Sequence, residues 1–302
     1  MRSKTAVLTM VRDDDFMLSR WVDYYGGLFG KDSLYVINHG NQPNVRDIAQ
    51  GCNLFPVPDN ERKKFTILNW RTKNHLLRAL LEWYDTVIVC DVDEFIAVDP
   101  ATGLDLRTWI DSDQRPTVRT PMGLEVVHLP GKEPESIDKA ILGPRRFVKI
   151  NLFYAKPCII SKPTKLSRGG HYSEHAALDM PDFLYLFHMK YCDYGLYTDT
   201  LNRRNDVVRS MMVDGKKETT TNVQWFAEDR DDDRTFADFE ERKLHEGFDF
   251  ADIRDKLHKS FGPRNHGLYH FKRPHRKKLY EIPERFFGLF GPAVETPEKS
   301  TG

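Results

Sequence analysis

"DTVIVCDVDEFIAVDP", residues Asp85–Pro100, runs an apolar stretch into three acids, Asp91, Asp93 and Glu94. A short run of valine and isoleucine reads as a buried strand. A carboxylate beside an apolar interior is costly unless something pairs with it. The acids therefore mark either the strand's exit into water or a set of groups gathered around a cation. Side chains two apart on an extended segment share a face, which puts Asp91 and Asp93 together and turns Glu94 away. Two such carboxylates suit a hard divalent ion whose remaining ligands are phosphate oxygens and water. A bare D-x-D also arises by chance, and a solvated strand end with Glu94 bridged to an arginine is the plain alternative.

Outward from this stretch the chain alternates. "TAVLTMV" (5–11) is a buried strand, and Met17, Trp21, Tyr24, Tyr25 and Leu28 follow at helical spacing, with Gly26, Gly27 and Gly30 ending the helix. "SLYVINHG" (33–40) is a second strand, and "NWRTKNHLLRALLEWYD" (69–85) is an amphipathic helix that feeds the strand of the opening quotation. Strand, helix, strand, helix, strand predicts an α/β fold with a mostly parallel sheet and covering helices. Ligands in such sheets collect at the carboxyl ends of the strands, where Arg12–Asp15, Asn38–Asn41 and Asp91–Glu94 fall. From about Thr117 to Tyr191 short strands punctuated by Gly and Pro suggest antiparallel additions. One continuous sheet over about 5–190 is expected, with the last hundred residues mostly helical around it.

The chain of 302 residues carries 45 Lys plus Arg against 45 Asp plus Glu, so no net field argues for nucleic acid or an acidic polymer as partner. Its four cysteines show no CxxC and no disulfide spacing, which fits a reducing compartment and a cytoplasmic protein. The apolar run at the N-terminus is too short for a signal-peptide core, and no stretch is long enough to span a bilayer.

"VIVCDVDEF", preceded by a helix bearing "RTKN", resembles the D-x-D-E-F region of the family-2-like group of GT-A glycosyltransferases. The opening, "VLTMVRDDDFMLSRWVDYYGGLFGKDSLYVINHG", is similar to that group's first strand, acid-bearing loop, W…Y helix and second strand; Asn38 and His39 stand where relatives often carry an Asp-Asn turn. The resemblance covers about two-thirds of the chain. It implies a GT-A (Rossmann-like) catalytic domain over 1–200, with a nucleotide-binding half (about 1–100) and an acceptor half (about 101–200), and a helical extension over 201–302. It further implies a nucleotide-diphosphate-sugar donor, a saccharide or glycoconjugate acceptor, and Mn2+ or Mg2+ on the donor diphosphate. Asp93 is then a direct metal ligand, and Asp91 reaches the ribose or a metal-bound water. A metal there would stabilise the charge that develops on the departing phosphate.

"FLYLFHMKYCDY" places His188 and Lys190 two apart at the end of an apolar run. His188 is expected beside Asp93 as a metal ligand, and Lys190, on the same face, near the pyrophosphate. A hydrogen-bonded structural histidine is the alternative. "LSRGGHYSEHAAL" (166–178) reads as a loop in which His171 lines the cleft; a zinc site through His171 and His175 is disfavoured because only a helix would align them. An inverting transfer needs one general base, and Glu174, Glu125 and Asp193 are the candidates, each also readable as an ordinary surface carboxylate. Arg12 and Asp14 are expected near the nucleotide, with an aspartate of that loop also capping the helix. Asn38 and Asn74 complete the nucleotide set, whereas Lys73 reads as part of a solvated helix face.

The tail "FKRPHRKKLYEIPERFFGLFG" is basic and aromatic, a composition that suits peripheral contact with anionic lipid. Packing back on the acidic 228–256 segment is the slightly preferred alternative. Two competing functions stand beside the transferase: a carbohydrate- or nucleotide-binding module without turnover, and, less favoured, a haloacid-dehalogenase-type phosphatase.

Overall fold

The computed structural model describes residues 4–59, 65–113, 115–210, 212–213, 216–217, 232–274 and 277–292. The first half alternates as its hydrophobic pattern dictates: β1 (Thr5–Val11), α1 (Asp15–Phe29), β2 (Leu34–His39), α2 (Pro43–Ile48), β3 (Asn53–Val57), α3 (Phe65–Leu81) and β4 (Thr86–Val89). The four strands are parallel in the order β3-β2-β1-β4. Because side chains alternate across a strand, β1 and β4 serve two faces. Ala6, Leu8, Val87 and Val89 pack under α3 with Trp70, Leu77 and Leu80. Val7 and Ile88 face the other way, onto Leu18 and Trp21 of α1. Gly26 and Gly27 lie inside α1, which ends only at Gly30, so the three glycines do not act together as its stop.

Beyond β4 come β5 (Glu94–Val98), α4 (Leu106–Ser112), β6 (Val118–Arg119), β7 (Met122–Val127), β8 (Phe147–Ile150), β9 (Ile159–Ile160), β10 (Leu184–Tyr191) and α5 (Tyr194–Ser210). β9 and β6 extend the first sheet with antiparallel pairings. The architecture is a mixed α/β fold of Rossmann-like character, with a mostly parallel central sheet flanked by helices and antiparallel additions.

The expectation of one continuous sheet is overturned. β5, β10, β7 and β8 form a second sheet, in which β10 runs antiparallel to β5 and parallel to β7. The chain passes from one sheet to the other at Cys90–Asp93. There it makes a turn, in which the Glu94 amide donates to the Asp91 carbonyl at 3.1 Å. Asp91 and Asp93 are therefore turn residues, and the shared-face argument for an extended pair does not apply to them.

In the C-terminal part, α6 (Asp232–Glu240) and α7 (Ala251–Ser260) are helical, while Leu244–His245 and Leu279–Glu281 add strands to the edge of the second sheet. The tail's aromatic residues turn inward. Phe286 and Phe290 are buried, with Phe290 packed on Tyr24, Phe95 and Phe187, and Tyr280 lies against His245 and Phe250. No helix among the described residues is long and apolar enough to cross a membrane.

Arg285 clamps Asp99 with two hydrogen bonds of 2.6 and 2.8 Å, joining the tail to the end of β5. Partial burial opposes ionisation of Asp99, but the Arg285 guanidinium prevails and holds its carboxyl below the usual range. A depressed folded-state value means that this contribution is complete above about pH 4, the ordinary carboxylate value, and is lost as pH falls through the folded value. Arg285→Met is thus expected to lower Tm at neutral pH, with the gap from wild type narrowing as pH falls below the ordinary carboxylate value of about 4. Thermal melts across that range check it, and a gap that persists in acid would assign the loss to packing.

Candidate functional site at the crossover between the sheets

Four parallel strands end at one edge, and their following loops hold one another. Asp14 caps α1, its side chain accepting from the Met17 amide at 3.4 Å. Asn38 is buried and closes the turn after β2, accepting from the Gln42 amide at 2.8 Å and donating to its carbonyl at 2.9 Å. Arg12 pairs with Asp59 (2.6 Å), beyond the end of β3. Gln42 exchanges hydrogen bonds with Asp13, whose φ is 54°. Asn38 is in this way bound into the scaffold, whereas Arg12 and Asp14 remain part-exposed at the edge.

The crossover turn projects its acids into a set of buried cations. Lys73, expected on a solvated face, is completely buried on α3 and reaches Asp91 at 2.6 Å. Its ammonium lies 4.6 Å from the Trp70 ring centroid. Trp70 is in turn held by Gly170, where a Cβ would come within 2.5 Å of the ring. Lys156, which the sequence did not single out, touches both Asp91 (3.1 Å) and Glu94. Burial alone would raise the Asp91 carboxyl, but the two ammonium groups outweigh it and hold it far below the usual range. Glu94 is wholly buried and its carboxyl is pushed up, first by burial and then, against the Lys156 cation, by the Asp91 charge. Glu94 also accepts from the Asp91 amide at 3.0 Å, which fixes the turn.

His188 sits opposite Glu94 on one neighbouring strand and Glu125 on the other. Its Nδ1 meets Glu125, and its Nε2 lies 3.2 Å from Asp93 Oδ2. Burial works against charge on this imidazole, yet Glu125 and Asp93 prevail and raise its pKa to about 10. Glu125 is itself buried; burial opposes its ionisation, but the His188 charge holds its carboxyl below the ordinary value. Asn151 Nδ2 donates to the other Glu125 oxygen at 2.7 Å. Tyr154 stacks flat on His188, with ring centroids 3.6 Å apart.

The segment 151–156 therefore delivers three site groups, and it lies directly on β7. A Cβ on Gly123 would collide with the Ala155 amide nitrogen and come within 2.5 Å of the Asn151 carbonyl oxygen. Gly123→Ala should lift this segment and cost about 1–3 kcal/mol, the range for overpacking a filled interior. Denaturant unfolding measures the loss, and an unchanged midpoint would show that the segment has room to shift.

The sequence-derived set divides. Asp91, Asp93 and His188 come together, and Glu125 joins them from behind. Asp91, however, spends both oxygens on lysines, so the pair able to share one cation is Asp93 with His188. Two atoms 3.2 Å apart match neighbouring ligands on a single ion bound at about 2.1 Å from each. Among the described residues no three or more His, Cys, Asp or Glu converge as a metal site, so further ligands would come from substrate and water. As it stands, the raised pKa keeps a proton on both ring nitrogens, with Nε2 paired to Asp93. A cation would have to displace the Nε2 proton, while the Glu125 contact would keep the other on Nδ1 and orient the ring.

Lys190 departs from the face expected for it. The pairing of β10 slips between His188 and Tyr191, and such an irregularity breaks the two-residue repeat. The Lys190 ammonium lies over Tyr191 and Tyr197 instead of sharing the His188 face. Asn74 spends its amide on the Trp70 and Leu166 carbonyls, and its carbonyl oxygen accepts from the Leu166 amide. Asp193 pairs with Arg145 at 2.8 Å and accepts from the Leu196 amide at the start of α5. Glu174 is exposed on the 166–175 loop. His171, on the same loop, bonds the Phe153 carbonyl through Nδ1 at 2.8 Å. Burial first, then Lys156 and Arg273, lower its pKa to about 4, so the ring is neutral near pH 7.

No family model and no curated protein matches the chain. Among solved structures it is similar to a mannose-1-phosphate geranyltransferase from Thermus thermophilus, at 14% identity over 78% of this chain and 67% of that one, with a TM-score of 0.25.

Proposed function

We propose that the protein is a metal-dependent glycosyltransferase that moves a sugar from a nucleotide-diphosphate sugar to an acceptor hydroxyl with inversion. The observation that carries this reading is the constellation at the carboxyl edge of a parallel sheet: Asp93 and His188 poised as a ligand pair, Glu125 behind the histidine, and Lys73 with Lys156 beside them. Asp93 and His188 would hold Mn2+ or Mg2+, which supplies charge stabilisation for the departing diphosphate. Lys73 and Lys156, held on Asp91 and Glu94 within two residues of Asp93, would favour negative charge as it develops nearby. Arg12 and Asp14, at the mouth of the parallel strands, are the residues that meet the nucleotide. Of the three base candidates, Glu125 and Asp193 are engaged in internal pairs, which leaves the exposed Glu174 to take the acceptor proton. The acceptor is a saccharide or glycoconjugate, and the catalytic unit spans 1–200.

The test incubates the protein with UDP-, GDP-, CMP- and dTDP-sugars, with manganese or EDTA, and follows nucleotide release with and without saccharide acceptors. Metal-dependent release that rises with one acceptor is expected. Binding without consumption would favour a recognition module, and release of inorganic phosphate would favour a phosphatase.

A further inference from the structure

Beside the acid cluster, where Ala155 and Pro157 flank Lys156, lies a small pocket with mostly apolar walls, in which Thr120, His171, Ser173, Tyr269 and His270 are the polar lining. Two arginines converge on Tyr172, whose ring meets the pocket-lining His270 edge-on at 4.3 Å. Arg264 Nη1 donates to Tyr172 Oη at 2.8 Å and Arg273 Nη1 to the same oxygen at 3.4 Å. Both guanidinium groups lie over the Tyr172 ring, at 4.8 and 5.2 Å from its centroid. Arg273 also covers Phe153 at 4.3 Å and donates through Nε to the Leu152 carbonyl at 3.1 Å.

This arrangement is incomplete by itself. Among the described residues neither Arg264 nor Arg273 has a carboxylate partner, although two like charges share one ring. Arg273 Nη2 is buried and meets no acceptor among the described residues. His270 is 6% exposed, lines the cavity, and its Nε2 also has no hydrogen-bond partner among them. A buried donor left unmade costs about 1–3 kcal/mol, and paired guanidinium groups are the usual cradle for a planar or tetrahedral oxyanion. Burial first, then Arg273 and Arg264, lower the His270 pKa to about 3, so the ring adds a hydrogen bond near pH 7 without adding charge.

Position connects the pocket to the proposed reaction. Phe153 under Arg273 and Lys156 on Asp91 belong to one short segment, so at most on the order of 10 Å of backbone separates them. His171 stands between, bonded to Phe153 and lining the pocket. We infer that the arginine pair on Tyr172, with His270 beside it at the edge of the pocket, receives an anionic group, a phosphate or a carboxylate, carried by the acceptor, with Arg264, Arg273 and His270 as its ligands. As a statement about the acceptor this rests on the transferase reading; as an anion site it stands independently.

The test titrates the full-length protein by calorimetry at low salt with inorganic phosphate, glucuronate and glucose. Saturable binding of one or both anions, with no binding of glucose, is expected, and the tighter anion identifies the source. Arg273→Met should weaken it about tenfold or more, the loss of a charged hydrogen-bond donor. Arg264→Met should weaken it several-fold, and being at an exposed position it carries the test alone if Arg273→Met does not fold. Lys132→Met, at an exposed cation outside both sites, should retain the binding. Glucose binding as well as the anions, no saturation by either anion, or undiminished binding in both arginine variants would overturn the inference. The nucleotide-sugar assay is separate: its failure alongside arginine-dependent anion binding would remove the transferase reading and leave the pocket standing.

Discussion

Lys156→Met is expected to destabilise the protein by about 3–5 kcal/mol, the cost of leaving a buried charge without its partner. The lysine is buried and touches two acids, Asp91 and Glu94. Asp91 retains Lys73 when Lys156 is gone, whereas Glu94 loses the one ammonium group that touches it among the described residues. The double variant Lys156→Met/Glu94→Gln should therefore recover much of the loss, because the Gln side-chain oxygen can still accept from the Asp91 amide without a buried charge. Urea unfolding of wild type, both single variants and the double variant measures the coupling directly. A single Lys156→Met variant as stable as wild type would mean that the network contributes nothing net.

Asp93→Ala is expected to abolish the manganese-dependent part of nucleoside-diphosphate binding while the fold survives. Its side chain is part-exposed, and the buried partner it would abandon, His188, still holds Glu125. His188→Ala should weaken manganese binding in the presence of nucleotide about tenfold or more, and Glu125→Gln should do so to a smaller degree through the orientation of the imidazole. Fluorescence titration of nucleoside diphosphate in manganese and in EDTA reads both effects. Equal wild-type affinity in the two conditions would remove the metal from the reading and leave Lys73 and Lys156 as the cations of the site.

Much of the first ninety residues could be read directly. The run 5–11 is β1 to the residue and β4 falls within the apolar run 86–90, because in a sheet covered on both faces the signal is local. α3 spans Phe65–Leu81 in place of the expected 69–85, and the short α2 and half-exposed β3 lay outside the reading. The lysines were harder. Lys73 stands three residues after Trp70 and four before Leu77, on the stripe that packs under β1 and β4. That spacing could have marked it as buried and in need of an anion, had position weighed more than charge. Lys156 carries no such signal, since it lies in an irregular segment whose place depends on the absence of a side chain at Gly123, far back in the chain. The division into two sheets was equally hidden. It depends on β5 finding β10 across some ninety residues, and no periodicity encodes a partner. Lys190 was misplaced for a related reason, because the slip in β10 is a property of the pairing with β7 and not of the residues themselves.

The turn at Cys90–Asp93 is the thread by which one sheet passes into the other. Lys73 reports the position of α3 and the first sheet, while His188 and Glu125 report that of the second; Asp91 and Asp93, two residues apart on the turn, touch one reporter each. The site consequently works as a vernier on the alignment of the two sheets. A displacement of a few tenths of an ångström between them, too small to unfold anything, would strain both contacts at once. Substitutions buried between the sheets, remote from every charged group, should for that reason erode ligand affinity well before they erode the melting temperature.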